Sequence, residues 1–140
     1  MARTTLDTFD GKKWYFAAYD MDGVLGNEWD GKSYYRPDSG CTFAWFEQTH
    51  RLMHLIYTYG KAGLCTRYRE LRKTALSEES MAHTLMNYAV GIPKANHDYE
   101  ALRWPGIPGT DINNVSQILH WYRLRCIALD AEITALERTL

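Results

Sequence analysis

The sequence predicts an α/β or α+β fold, with a small N-terminal sheet followed by three to four helices. An apolar and aromatic run at 12–19 is typical of a buried strand. Apolar residues recur at helical spacing over 42–59. Spacings of three and four residues then alternate without a break over 112–136, which predicts a long C-terminal amphipathic helix. With 140 residues, the chain is expected to form a single domain, 1–140.

Composition excludes several classes of protein. Hydrophobic residues make up 46% and charged residues 24% of the chain, which is ordinary for a globular domain and argues against disorder. The net charge of -1 lacks the basic excess of proteins that bind nucleic acid in bulk. No apolar run approaches the roughly 18 residues of a membrane span, and the N-terminus lacks the apolar core of a secretory signal. We therefore expect a soluble cytoplasmic protein that does not bind membranes.

In the N-terminal half, the predicted strand at 12–19 leads into a loop. Residues 20–40 are rich in Asp, Gly, Asn, Ser and Pro, which is typical of irregular structure. A helix is predicted over 42–59, and Gly60 stands where a glycine commonly ends a helix. The short segment 61–66 is then expected to form a strand.

The C-terminal half is predicted to be mainly helical. Residues 67–89 favour helix, interrupted at Ser77, where Ser-Glu-Glu offers a new N-cap. Three prolines fall in 91–109, which predicts a long connecting loop. The last helix would be capped by Thr110 or Asp111.

The apolar stripe of this last helix has two interpretations. It either packs within the chain or mediates contact with a protein partner or self-association. Its members are Ile112, Val115, Leu119, Tyr122, Cys126, Leu129, Ile133 and Leu136.

The pattern that carries chemistry follows the predicted strand. The chain from Trp14 to Leu25 runs from aromatic and apolar residues into Asp20-Met21-Asp22-Gly23. Two carboxylates two residues apart at the end of a strand project into one crevice, at the edge where open α/β sheets bind ligands. One of them can coordinate Mg²⁺ and attack phosphorus, while the other donates a proton to the leaving group. An acidic turn between two strands is the structural alternative.

This stretch resembles motif I of the haloacid dehalogenase-like (HAD) phosphohydrolases. The resemblance implies a small Mg²⁺-dependent phosphatase that acts through an aspartyl-phosphate, with Asp20 as nucleophile and Asp22 as general acid/base. Its substrate would be a phosphorylated small molecule or a nucleotide.

The same resemblance suggests roles for residues further along the chain. Thr66, at the end of the predicted strand 61–66, and its neighbour Arg67 would bind the phosphoryl group, together with Lys94. Asp130 would join Asp20 and Asp22 as a metal ligand if the residues before it formed a strand. Those residues also continue the heptad-like stripe of a helix.

The second functional hypothesis is a non-enzymatic protein-interaction module, either an assembly component or an inhibitor. It would combine an N-terminal β-hairpin with a helical C-terminal half and bind its partner through aromatic and apolar surface. The segment 125–132 discriminates between the two hypotheses. A strand there favours the enzyme, and a continuous helix favours the interaction module.

Overall fold

The computed structural model describes residues 2–3, 14–15, 25–28, 36–38, 48, 51–106 and 114–140. The structural statements that follow concern these residues. Two N-terminal segments pair as antiparallel strands, β1 (Ala2–Arg3) and β2 (Trp14–Tyr15), with Ala2 opposite Tyr15 and Arg3 opposite Trp14.

The described part of the chain is helical, so the predicted α/β or α+β fold with an N-terminal sheet is wrong. Helices make up about three quarters of the residues that the structure describes. Two strands of two residues each cannot form a sheet on which helices pack or whose edge holds a ligand. The described helices are α1 (Arg51–Arg72), α2 (Glu78–Gly91), α3 (Lys94–Arg103) and α4 (Val115–Glu137).

Helix α1 contradicts the predicted break at Gly60 and the predicted strand at 61–66. The helix continues through Gly60 and Gly63, because apolar side chains at helical spacing keep meeting the core along its whole second half. Cys65 is buried there, with Tyr57 and Tyr68 packed around it. A glycine in a helix interior costs only about 1 kcal/mol, which this burial exceeds.

The boundary between α1 and α2 confirms the predicted cap at Ser77. Its side-chain oxygen accepts a hydrogen bond of 3.1 Å from the backbone N–H of Ser80. Glu78 and Glu79 then place negative charge in the first turn of α2, where the helix dipole favours it.

Helix α3 occupies part of the predicted loop at 91–109. Pro93 is its N-cap, and Pro105 follows its end at Arg103. Proline is tolerated at the start of a helix and just after its end, so these two residues delimit the helix instead of preventing it.

Helix α4 confirms the predicted long C-terminal helix. Its N-cap is Asn114, whose side chain accepts a 2.7 Å hydrogen bond from the N–H of Gln117. The caps predicted at Thr110 or Asp111 lie outside the described residues.

The stripe of α4 packs within the chain. Ile133 has no solvent-exposed surface. Tyr122, Cys126 and Leu136 are also buried, and Val115, Leu119 and Leu129 are half-buried, whereas Ile112 lies outside the described residues.

The core lies where α4 meets α1. Cys65 of α1 packs with Ile133 and Leu136 of α4, while Leu64 and Tyr68 border this cluster. Helix α4 also contacts α2, so it is the central element of the described fold. No helix among the described residues is long and apolar enough to cross a membrane.

Candidate interaction surface

The two carboxylates of the motif, Asp20 and Asp22, lie outside the described residues. The turn that follows them at 25–28 is described, and it packs on α4. Gly26 has a φ of +88° and is so close to Trp121 that a Cβ would come within 2.7 Å of Cδ2. One turn further along α4, Nη1 of Arg125 donates a 3.1 Å hydrogen bond to the carbonyl of Pro37. The chain just after the motif is therefore anchored on α4.

Thr66 and Arg67 lie inside α1 and not at the end of a strand. Both are exposed, and the Arg67 guanidinium pairs with Glu70 on the same helix at 3.0 Å. The proposed phosphate-binding pair thus lacks the position at a sheet edge that the resemblance requires.

Lys94 is the first residue of α3. Its ammonium lies 2.7 Å from each carboxylate oxygen of Asp98, one turn along the same exposed helix. This charge is already paired locally and lies on a helix that buries no residue.

Asp130 lies on α4 and faces two arginines of α1. The Arg72 guanidinium donates to its two oxygens at 3.3 and 3.2 Å, and Nη1 of Arg69 lies 3.6 Å away. The segment 125–132 is continuous helix, so the strand that a metal-ligand role for Asp130 would require is not formed there. A cation at Asp130 would have to lie beside two guanidinium groups, which is unfavourable for Mg²⁺.

The same arginines connect α1 to the end of α4. Arg69 holds Glu137 through two hydrogen bonds of 3.0 and 2.9 Å and also donates to the Thr134 hydroxyl at 2.8 Å. These bonds hold the pKa of Glu137 below its ordinary value. Burial, with Asp130 nearby, raises the pKa of Tyr68. This polar cluster orients α1 on α4, and each charge in it has a partner.

Side chains from α1 and α4 hold the turn between α1 and α2. The Leu76 carbonyl accepts hydrogen bonds from Arg72 at 2.6 Å and from the Tyr122 hydroxyl at 2.7 Å. Burial raises the pKa of Tyr122 to about 12, so this hydroxyl stays protonated even in moderately alkaline solution. Across α2 and α4, Arg123 pairs with Glu78 and holds the pKa of that carboxyl below its usual value.

The remaining candidate site is a long exposed segment. Every residue from 86 to 106 is exposed, and we refer to these residues as the arm. It comprises the second half of α2 and all of α3. Its large apolar side chains are Met86, Tyr88, Val90, Ile92, Tyr99, Leu102 and Trp104, with Val90 81% and Leu102 83% exposed. So many exposed large apolar side chains within 21 consecutive residues are typical of a protein-interaction site.

Helix α3 shows why the arm is incomplete by itself. Ala95, Tyr99 and Leu102 follow one another at spacings of four and three, so they form a stripe along one side of the helix. A helix of 10 residues is only marginally stable in water unless a face is packed, and α3 buries none of its residues. The sequence analysis missed this helix because the three prolines in 91–109 predicted a loop. The spacing of Ala95, Tyr99 and Leu102 was the signal that could have identified the helix.

Among the described residues, no group of three or more His, Cys, Asp or Glu side chains is placed to hold a metal ion. Comparison with known proteins adds no further assignment, since no family model, curated protein or solved structure matches the chain.

Proposed function

We propose that this protein is an interaction module that inserts the arm into an apolar groove of another protein. The observation that carries the proposal is the unbroken exposure of residues 86–106, with seven large apolar side chains among them. Recognition of a helix in a groove uses anchors at spacings of three, four and seven residues. Ala95, Tyr99 and Leu102 supply this pattern on α3.

The positive and negative charges of the arm balance each other, which favours a partner surface that is mainly apolar. Lys94 and Arg103 balance Asp98 and Glu100, and the first of these cations is paired with Asp98. Without an excess of either sign, charge attraction contributes little to affinity. The groove of the partner is therefore expected to be apolar, with a rim of mixed charge.

The partner would also complete the folding of α3. Packing the stripe would supply the tertiary contacts that a short helix needs for stability. Ordering α3 on binding costs conformational entropy. The affinity should therefore be lower than that of a preformed helix that buries the same area.

The alternative function is the Mg²⁺-dependent phosphohydrolase with Asp20 as nucleophile and Asp22 as general acid/base. The residues that resemble motif I support it. The helices through 61–66 and 125–132 favour the interaction module, because the other motifs of such an enzyme require strand ends at both places.

Site-specific photocrosslinking tests the interaction. A benzophenone side chain at Leu102 should form an adduct with a protein partner in cells that express the chain, because this position is in the arm. The matched control is the same group at Leu140, which is 66% exposed outside the arm and should form no such adduct. Equal adducts from both positions, or none from Leu102, would refute the proposal.

Thermal melts with and without Mg²⁺ test the enzyme. A catalytic site predicts a higher melting temperature at millimolar Mg²⁺, because the ion binds only the folded state. It also predicts hydrolysis of an aryl phosphate that Asp20→Asn abolishes. The interaction module predicts neither result, so a positive outcome of both assays would replace it.

A further inference from the structure

The C-terminal end of α3 carries three side chains in contact with one another, which we call the arginine cluster: Tyr99, Arg103 and Trp104. Nη1 of Arg103 donates a 3.2 Å hydrogen bond to the Tyr99 hydroxyl, and its Cζ lies 5.6 Å from the centre of the Trp104 ring. All three residues are exposed. Because these contacts already hold the guanidinium in place, it loses less conformational entropy when it binds a ligand.

Arg103 differs from Lys94, the other cation of α3. The Lys94 ammonium pairs with Asp98 at 2.7 Å on the same helix. The Arg103 guanidinium, in contrast, contacts only a hydroxyl and an aromatic ring, and no carboxylate of the described residues pairs with it. Its charge is therefore positioned on the arm but not neutralised by the chain around it.

The arginine cluster presents two hydrogen-bond donors side by side. The oxygen of Tyr99 accepts from Arg103, so the hydrogen of this hydroxyl can still be donated to another group. The guanidinium has further N–H groups besides the one that it donates to Tyr99. A carboxylate has two oxygens and can accept from both side chains at once, and its charge strengthens both hydrogen bonds. This chemistry favours an acidic side chain as the ligand.

The arginine cluster lies at one edge of the apolar stripe of α3. At 100° per residue, Arg103 is displaced by about 40° around the helix from Tyr99, which belongs to the stripe. The ion pair of Lys94 and Asp98 borders the opposite edge. A groove that receives the stripe therefore meets a neutralised pair on one side and an unneutralised cation on the other. This asymmetry specifies which way round α3 lies in the groove.

We propose that the arginine cluster binds a carboxylate of the partner protein, at the rim of the apolar groove that receives the arm. This inference rests on the proposed function, because it names the chemistry of the same partner surface. A charge pair at the rim contributes more to orientation and specificity than to affinity, which agrees with the balanced charge of the arm. Arg, Tyr and Trp are also the residue types enriched at the positions that contribute most to binding in protein interfaces.

Removal of each cation of α3 in turn tests the proposal. In a cell lysate below saturation, the adduct from benzophenone at Leu102 should fall roughly tenfold with Arg103→Met, because a hydrogen-bonded charge pair is lost. Lys94→Met removes the same charge from the same helix and should leave the yield unchanged. Methionine resembles arginine and lysine in helix propensity, so neither change should disturb α3. Tyr99→Phe should reduce the yield less than Arg103→Met, because it removes only the hydroxyl.

Salt distinguishes a charge pair from a purely structural role of Arg103. Raising the ionic strength from about 0.05 to about 0.5 M should lower the adduct yield of the chain that retains Arg103, because the Debye length shortens. The yield of Arg103→Met should stay constant over this range. Equal salt dependence with and without Arg103 would show that the residue only supports Trp104, and would overturn the proposal.

Zero-length crosslinking identifies the ligand directly. Arg103→Lys places an amine in the arginine cluster, and a carbodiimide should couple it to a carboxylate of the partner, which mass spectrometry of the linked peptides then locates. His97→Lys is the control, because this exposed position lies about 160° around α3 from Tyr99. Coupling to the partner from both positions, or from neither, would refute recognition of a carboxylate by the arginine cluster.

The outcomes also separate this inference from the proposed function. If benzophenone at Leu102 gives no adduct in the otherwise unchanged chain, the proposed function and this inference are both wrong. If that adduct forms and Arg103→Met forms it with equal yield, the arm binds a partner without help from the arginine cluster. That second result would overturn this inference alone.

Discussion

Replacing Ile133 with alanine should destabilise the protein strongly, because this side chain is completely buried between α4 and α1. The substitution removes three carbon groups at about 0.8 kcal/mol each, which gives about 2.4 kcal/mol. The cavity left behind adds about 1 kcal/mol if the neighbours relax only in part. We therefore expect the free energy of unfolding to fall by about 3 to 4 kcal/mol.

Ile127→Ala is the matched control. It makes the same change on the same helix, but Ile127 is 61% exposed. The gain in helix propensity is equal at both positions and cancels in the comparison. The control should cost about 1 kcal/mol or less, since less surface is lost and no enclosed cavity forms.

Thermal and urea unfolding measure the difference between these two variants. At about 4 °C per kcal/mol for a chain of this size, Ile133→Ala should melt roughly 10 °C below Ile127→Ala. The urea midpoint should fall with an unchanged slope. Equal losses for the two variants would show that α4 does not present Ile133 to the core.

Three further predictions follow from named contacts. Arg69 lowers the pKa of Glu137, so this stabilisation should be present at neutral pH and lost as the pH falls below about 4.5; Glu137→Gln should flatten that part of the melting-temperature profile. Gly26→Ala should lower the melting temperature more than Gly106→Ala, because both glycines have positive φ but only Gly26 abuts Trp121. Equal shifts in melting temperature would show that Gly26 does not pack against Trp121. Hydrogen exchange should show little protection in α3 and strong protection in the buried part of α4; strong protection of α3 in the isolated monomer would contradict the incomplete arm.

The exposed side chains of the arm determine what kind of partner surface it requires. The arm presents large apolar side chains on a short helix without packing of its own, so a partner must supply a preformed groove.

Local signals correctly predicted the elements whose cause is local or strongly periodic. The cap at Ser77 depends on a side chain three residues from its donor. The long stripe of α4 repeats often enough to specify a helix without knowledge of its neighbours. Gly60 misled the interpretation, because it suggests a helix end that neighbouring residues override, and Pro93 begins a helix where a loop was predicted.

The candidate catalytic residues show the same limit. The resemblance implies roles for Thr66 and Asp130 from the residue types that precede them. Their actual surroundings depend on the packing of α1 against α4, which places Asp130 against Arg69 and Arg72 and leaves Thr66 exposed to solvent. The roles of Asp20 and Asp22 stay predictions, because both residues lie outside the described residues.

The sequence by itself determined the long C-terminal helix, the start of α2 and the acidic pattern after Trp14. Tertiary structure alone decided that α1 runs unbroken through Gly60, that the stripe of α4 is covered from within the chain, and that the arm is exposed. The physical reason is that caps and periodic stripes act over a few residues, whereas burial depends on which distant segments meet. A stripe shows that a surface needs a partner, and only the packed chain shows whether that partner is already present.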